Sequence, residues 1–395
     1  MRLKHGIHLG YCTNIHRGET WEETFAALRT HTDAVRRRVS PDEPYGIGLR
    51  LGAAAAEELA AKPEERSAFR RWLEATNSYV FTINGFPYGA FHGTRVKEQV
   101  FAPDWTTEDR LVYTNRLFDL LDEIAPAGME ISVSTLPGSF KDFIHPETSD
   151  DQRGAIVRNL QRCSEHTAKL AERGGRDVHL GLEPEPLGLF ENSTETVAFF
   201  DELLEGASRE ERERLLRHIG VNYDTCHFAI EYEEPAPAIS ALRTAGIRIS
   251  KVHLSSALKL KPTEEALERL RQFEEGVYFH QVLVATKGEV VRRFRDLPYA
   301  LDWQAKFPDD RGEEWRVHFH VPLHTSPEAC FGDTRDHLSS LLDLFASEPG
   351  WCRHFEFETY TWEVLPPALR SRSVVDQLVE EYEWCLGEFG RVGLR

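Results

Sequence analysis

Residues 220–254, GVNYDTCHFAIEYEEPAPAISALRTAGIRISKVHL, decide the fold. A short apolar run ends at Asp224, a longer helical pattern follows, and a second apolar run ends at Leu254. Strand, helix and strand in that order make a parallel pair joined by a right-handed crossover. Outward from this unit the same alternation recurs, with strands expected at 5–12, 45–51, 79–84, 129–134, 177–183, 220–224, 247–254 and 354–358. Eight strands with helices between them predict an α/β fold, a (β/α)8 TIM barrel. The competing architecture is a doubly wound open sheet. It would be favoured by a glycine-rich phosphate turn after the first strand, and GYCTNIHRG at 10–18 is not GxGxxG.

Helix signals fit this spacing. Thr20 and Glu23 form a capping box ahead of Phe25, Leu28, Val35 and Val39. Asp104 or Thr106 is expected to cap the helix bearing Leu111, Leu117 and Leu121, and a last helix is expected from Ser373. The spacing breaks once, between the seventh and eighth strands. Residues 255–353 are far too many for a βα loop, so this insertion must hold structure of its own. It reads as a helix at 264–273, strands at 278–286 and 316–324, and the barrel's seventh helix at 337–345. Loops leaving this face of a barrel build active sites, which makes the insertion a lid or pocket wall; an oligomerisation arm is the alternative. The whole chain, 1–395, is read as one barrel domain.

Composition narrows the partners. Against 47 Lys and Arg stand 65 Asp and Glu, a formal charge of −18 that would repel nucleic acid and anionic membranes alike. Six cysteines without CxxC spacing argue against a zinc ribbon or a disulfide scaffold and fit a reducing, cytoplasmic setting. No run of about 18 apolar residues exists, and the first residues do not read as a signal peptide, so no membrane insertion is expected.

Strand parity points to a site. Alternate side chains face opposite sides of a strand, so in a barrel one parity fills the interior. In VHLGLE the apolar set Val178, Leu180 and Leu182 packs outward, leaving Glu183 inward at the strand's end. The same logic turns Asn222 and Asp224, then Lys251 and His253, then His354, Glu356 and Glu358 inward. Three carboxylates meeting in a barrel mouth would repel one another, and burying them unpaired costs several kcal/mol each. A divalent cation removes that problem, and carboxylates with one imidazole suit Mn²⁺, Mg²⁺, Co²⁺ or Zn²⁺.

Other residues sit beside this set. Glu185 shares the parity of Glu183 if the strand continues, and either replaces it as ligand or stands behind it. His227, three after Asp224, orients a substrate oxygen or is a capping or core histidine. Arg50, inward in GLRL, would hold a substrate phosphate or carboxylate, or neutralise the acidic set. The loop NGFPYGAFHGTRVK at 84–97, with His92, Arg95 and Lys97, suits a polar ligand with an apolar face or is an ordinary surface loop. In HFHVPLH, His318 and His320 stand two apart as in a β-type metal pair. No carboxylate accompanies them in sequence, so substrate contact by His320 or His324 is expected there in place of a second ion. Tyr360 and Trp362 are stacking walls for a ring or sugar, or rim packing.

LGLEP, VNYDTCH, KVHLSSA and FEFET, in this order on strands five to eight, resemble the xylose-isomerase-like TIM barrels, a group of sugar epimerases, isomerases and phosphodiesterases. HLGYCTNIHRGETW, GIGLRL, FTINGFPYGAFHGTRVKEQVFAPDW, RVHFHVPLH and ETYTWEVLP are similar to the EboE family of metabolite traffic proteins. The wider resemblance implies one metal held by Glu183, Asp224, His253 and Glu358, with His227 contacting substrate. It implies a sugar or polyol (phosphate) isomerase or epimerase in which Glu183 and Glu358 are also the acid/base pair, moving a proton through a metal-stabilised enediolate. Arg50, His92, Glu185, His320 and Trp362 complete the expected substrate contacts. The alternatives are a non-catalytic metabolite-binding protein, working with a pathway partner or as a homo-oligomer, and a metal-dependent phosphoester hydrolase.

Overall fold

The computed structural model describes residues 1–93, 95–327, 330–370 and 373–395. Runs of Ile, Leu, Val and Phe fully cut off from solvent build seven strands in turn: β1 (His8–Tyr11), β2 (Tyr45–Arg50), β3 (Ser78–Asn84), β4 (Ile131–Thr135), β5 (Val178–Leu182), β6 (Ile219–Asp224) and β7 (Ile249–Leu254). The insertion adds β8 (Ala257–Leu260), β9 (Val282–Thr286), β10 (Glu289–Phe294), β11 (Glu314–His320) and β12 (Phe331–Asp333) before β13 (His354–Phe357). Eight strands pair in parallel in the order β1, β13, β7, β6, β5, β4, β3, β2. A parallel bridge between Cys12 and Gly48 brings the two edges together. This is a nearly closed barrel wrapped in helices, and all eight expected strands occupy their places to within a few residues.

Helix starts follow capping chemistry. Thr20 and Glu23 form the reciprocal capping box of the helix Trp21–Ala27, and Ser373 accepts from the Asp376 amide at the start of Val374–Arg391. Thr107, not Asp104 or Thr106, caps Glu108–Ile124, because Asp104 is already spent on the Thr106 amide and the hydroxyls of Thr106 and Ser139.

The insertion builds a second, antiparallel sheet in the order β10, β9, β11, β8, β12. Leu258, Leu260, Val282, Val284, Trp315, Val317 and Phe319 give it an apolar core of its own. Two of its strands, β9 and β11, lie where expected; β8, β10 and β12 are additional, and β10 alternates exposed and half-buried side chains as a strand with one wet face does.

The barrel axis is polar. His8, His179 and His354 meet in its lower half, with ring centroids 5.8 and 5.5 Å apart, and Lys251 and Glu356 form an ion pair above them, both fully buried. Glycine makes room for that pair: a Cβ on Gly48 would stand 1.6 Å from Glu356 Oε1.

Candidate metal centre and pocket

The C-terminal ends of four neighbouring strands deliver one donor each. Glu183 follows β5, Asp224 closes β6, His253 lies on β7 and Glu358 follows β13. His253 Nδ1 stands 2.9 Å from Glu183 Oε1, 3.3 Å from Glu358 Oε2 and 3.7 Å from Asp224 Oδ2. One ligand atom of each of the four lies within 4.8 Å of the other three, and all four residues are buried. The structure thus brings together the quartet expected from sequence, and position along the barrel separates the two Glu pairs: Glu183 and Glu358 join it, while Glu185 and Glu356 do not.

Hydrogen bonds aim these groups. Asp224 Oδ1 accepts from the amides of Cys226 at 2.7 Å and His227 at 3.1 Å and from the Ser255 hydroxyl at 2.6 Å, whereas its buried Oδ2 has no hydrogen-bond partner among the described residues. Asn14 and Asn84 both donate to Glu358 Oε1, at 2.7 and 3.2 Å, which leaves Oε2 on the His253 side. Behind the imidazole, Nε2 donates to Glu356 Oε2 at 3.2 Å, and Lys251 balances that carboxylate. Asn14, Asn84, Lys251 and Glu356 are therefore positioning groups. Only inward parity marked the last two in sequence, and nothing local marked the first two.

The electrostatics call for positive charge. Burial alone would lower the His253 pKa, but the charges of Glu358 and Glu183 outweigh it and raise it well above its ordinary value. Burial would likewise raise Glu358, and the charge of His253 and its hydrogen bond hold that carboxyl well below its ordinary range. Glu185 is pushed well above its ordinary value, first by burial and then by Glu183, Asp224 and Glu358. Among the described residues lining the pocket, Lys97 is the one Lys or Arg, and it is paired with Asp296. A divalent cation fits this donor set. Three carboxylates and an imidazole converge, an orphaned carboxylate oxygen is buried among them, and no guanidinium or ammonium touches the quartet in the described residues.

The pocket above has an empty volume of about 600 Å³, part of it open to solvent. Glu183, Glu185, His227 and Glu358 form its polar floor; Phe86, Phe91, Phe101, Phe279, Tyr278 and Tyr360 supply its aromatic walls. Tyr278, Phe279, Gln281 and His318 come from the inserted segment, so that segment lines the pocket. His227 Nδ1 donates to the Pro184 carbonyl at 3.0 Å, with its ring edge on the floor. His320 is fully buried beneath, its Nδ1 3.0 Å from the Glu358 carbonyl and its Nε2 without a partner among the described residues.

Four expected contacts lie elsewhere. Arg50 is spent on the carbonyls of Gly18 and Gly89, at 2.7 and 2.6 Å, and on Glu19, so it ties two loops together outside the pocket. His92 joins the Asn14 carbonyl at 2.5 Å to the Tyr278 hydroxyl at 2.8 Å, behind the lining. Trp362 packs between the two cores under Arg370. His324 pairs with Glu380 at 3.0 Å, away from the pocket.

Comparison with known proteins agrees with this architecture. A search of curated proteins finds no match. Among solved structures, a xylose isomerase-like TIM barrel protein from Mycobacterium smegmatis in complex with magnesium aligns with a TM-score of 0.52 at 14% identity, over 98% of this chain and 97% of that one. A xylose isomerase domain protein from Planctomyces limnophilus gives 0.48 at 15% identity over 88% and 89%, and an L-ribulose 3-epimerase gives 0.49 at 12% over 99% and 96%. The family model described as "Xylose isomerase-like TIM barrel" matches residues 48–287, more than half of the chain, which therefore belongs to the xylose isomerase-like TIM barrel family.

Proposed function

We propose that this barrel is a metal-dependent isomerase or epimerase of a sugar, polyol or their phosphates. The observation that carries the reading is the convergence of Glu183, Asp224, His253 and Glu358 at the floor of a pocket sized for a small molecule. These four residues would hold one divalent cation of the Mg²⁺, Mn²⁺, Co²⁺ or Zn²⁺ class. Bound there, it would supply Lewis-acid stabilisation of negative charge developing on substrate oxygens.

The chain's own groups do the rest. Glu183 and Glu358 reach the floor from different strands, so one carboxylate takes a proton from substrate carbon and the other returns one. Asn14 and Asn84 keep Glu358 in register for that transfer. His227, anchored through Nδ1 on the Pro184 carbonyl, turns its Nε2 edge to the substrate side of the floor. Aromatic walls exclude water and offer flat apolar faces to a ring. The insertion serves as a fixed wall or lid over one side. Arg50 and His92 support the surrounding loops in this reading.

The experiment is solvent exchange. Metal-loaded protein in D₂O is incubated with a panel of polyols, aldoses, ketoses and their phosphates, and deuterium incorporation at carbon is followed by NMR. Exchange with at least one compound, lost in Glu358→Gln, supports the proposal. No exchange across the panel, or exchange undiminished in the variant, overturns it. Tight binding without exchange would favour the metabolite-binding role that the EboE likeness suggests, and release of inorganic phosphate would favour the hydrolase.

A further inference from the structure

A second group of donors lies on the insertion side of the same pocket. His227 on the short helix Thr225–Ile230 after β6 and His318 on β11 bring their Nε2 atoms to 3.1 Å, with the rings nearly perpendicular at 82°. That distance has the length of a hydrogen bond, but the neighbours forbid a neutral one. His227 Nδ1 faces the carbonyl of Pro184 at 3.0 Å, an oxygen that can only accept, so Nδ1 carries the proton and Nε2 is a bare lone pair. Gln281 donates its amide to the Pro186 carbonyl at 3.0 Å, which turns Oε1 toward His318 Nδ1 at 2.7 Å. His318 Nδ1 therefore donates as well, and its Nε2 is also bare. Two lone pairs facing each other at 3.1 Å inside the protein repel unless something positive stands beside both.

A carboxylate completes the arrangement. Glu185 Oε2 lies 3.8 Å from His227 Nε2, beyond hydrogen-bond length, and one donor atom each from Glu185, His227 and His318 lies within 4.8 Å of the other two. All three residues are buried and all three line the pocket. We propose that Glu185, His227 and His318 hold a second divalent cation, of the borderline Zn²⁺ or Co²⁺ kind that two imidazoles and one carboxylate select, with a coordination position open to the pocket. The pair Pro184 and Gln281 fixes both tautomers for that ion, as groups behind a metal-bound histidine do. This centre uses none of the quartet's residues, and its donors are softer. The two sites therefore differ in the metal they prefer.

Metal counting on the full chain tests this. Protein stripped with a chelator is titrated with Co²⁺, whose visible absorption reports imidazole coordination, and bound Zn²⁺ is counted by elemental analysis. The wild type is expected to take two equivalents, His318→Ala one, and His253→Ala one. Should His318→Ala not fold by circular dichroism, Glu185→Gln replaces it, with the second equivalent weakened tenfold or more. A wild type that takes at most one equivalent, itself kept in His318→Ala or Glu185→Gln, overturns the proposal. So does a ¹⁵N NMR signature of a proton shared between His227 and His318 that persists at saturating Zn²⁺. One equivalent, lost in His318→Ala but kept in His253→Ala, would support this site while sinking the quartet.

Discussion

The two ends of the barrel gather the same kinds of side chain and treat them in opposite ways. At the base, Glu130, Asp177 and His179 form a cluster that could hold an ion by distance alone, as the quartet at the mouth could. There, however, each carboxylate meets a guanidinium: Arg248 reaches Asp177 at 3.0 Å and Glu130 at 3.4 Å, and Arg353 reaches Glu130 at 3.3 Å. His179 adds a 2.9 Å contact to Glu130. At the mouth, Glu183, Asp224 and Glu358 share one imidazole, and the nearby Lys251 is turned down onto Glu356. Charge balance, not proximity of donors, separates a structural cluster from a candidate cation site.

Breaking the mouth should be catalytic, and breaking the base should not. Glu358→Gln is expected to cut deuterium exchange by about 10²–10⁴-fold while substrate still binds, which calorimetry with the active compound checks. Glu130→Gln should leave exchange untouched. Metal removal sharpens the same contrast: a cation present at 100 times its Kd stabilises the fold by about 2.7 kcal/mol, so a chelator should lower Tm by several degrees in the wild type and in Glu130→Gln, and by less in His253→Ala, which has lost the quartet's ion. A change behind the ligands comes next. Glu356→Gln keeps all four donors yet frees His253, and metal affinity should fall about 10–100-fold in a competition titration.

The base should answer to acid. Burial would raise Glu130, but the His179 hydrogen bond and the charges of His354, His179 and Arg248 outweigh it and leave the carboxyl well below its ordinary 4.5. A depressed folded-state value means that the stability it contributes is fully present above 4.5 and drains as pH falls below that. The Tm gap between wild type and Glu130→Gln should thus be widest near neutrality and close on acidification. Arg353→Ala should have the smallest effect, because its guanidinium is half exposed; we expect less than about 1 kcal/mol by chemical denaturation.

Much of the mouth was legible because a strand has period two. Once Val178, Leu180 and Leu182 are assigned to the helical side, Glu183 has nowhere to go but inward, and the same holds for Asp224, His253 and Glu358. Parity could not choose between Glu356 and Glu358, which share it. Height along the barrel chose, by setting Glu356 opposite the bare backbone of Gly48 and beside Lys251. Arg50 misled for the same reason. It faces inward as read, but the loops carrying Gly18 and Gly89 close over it and take both of its terminal nitrogens before any ligand could.

Sequence alone therefore determined the barrel, its helical shell and the inward placement of the four strand-end side chains, because period and alternation are local properties carried by adjacent residues. Tertiary structure decided the rest. Asn14 and Asn84 reach Glu358 from 344 and 274 residues away, and His318 reaches His227 across 91. Contacts of that separation depend on how strands stack around the axis and where the inserted sheet folds back, and no local pattern encodes either.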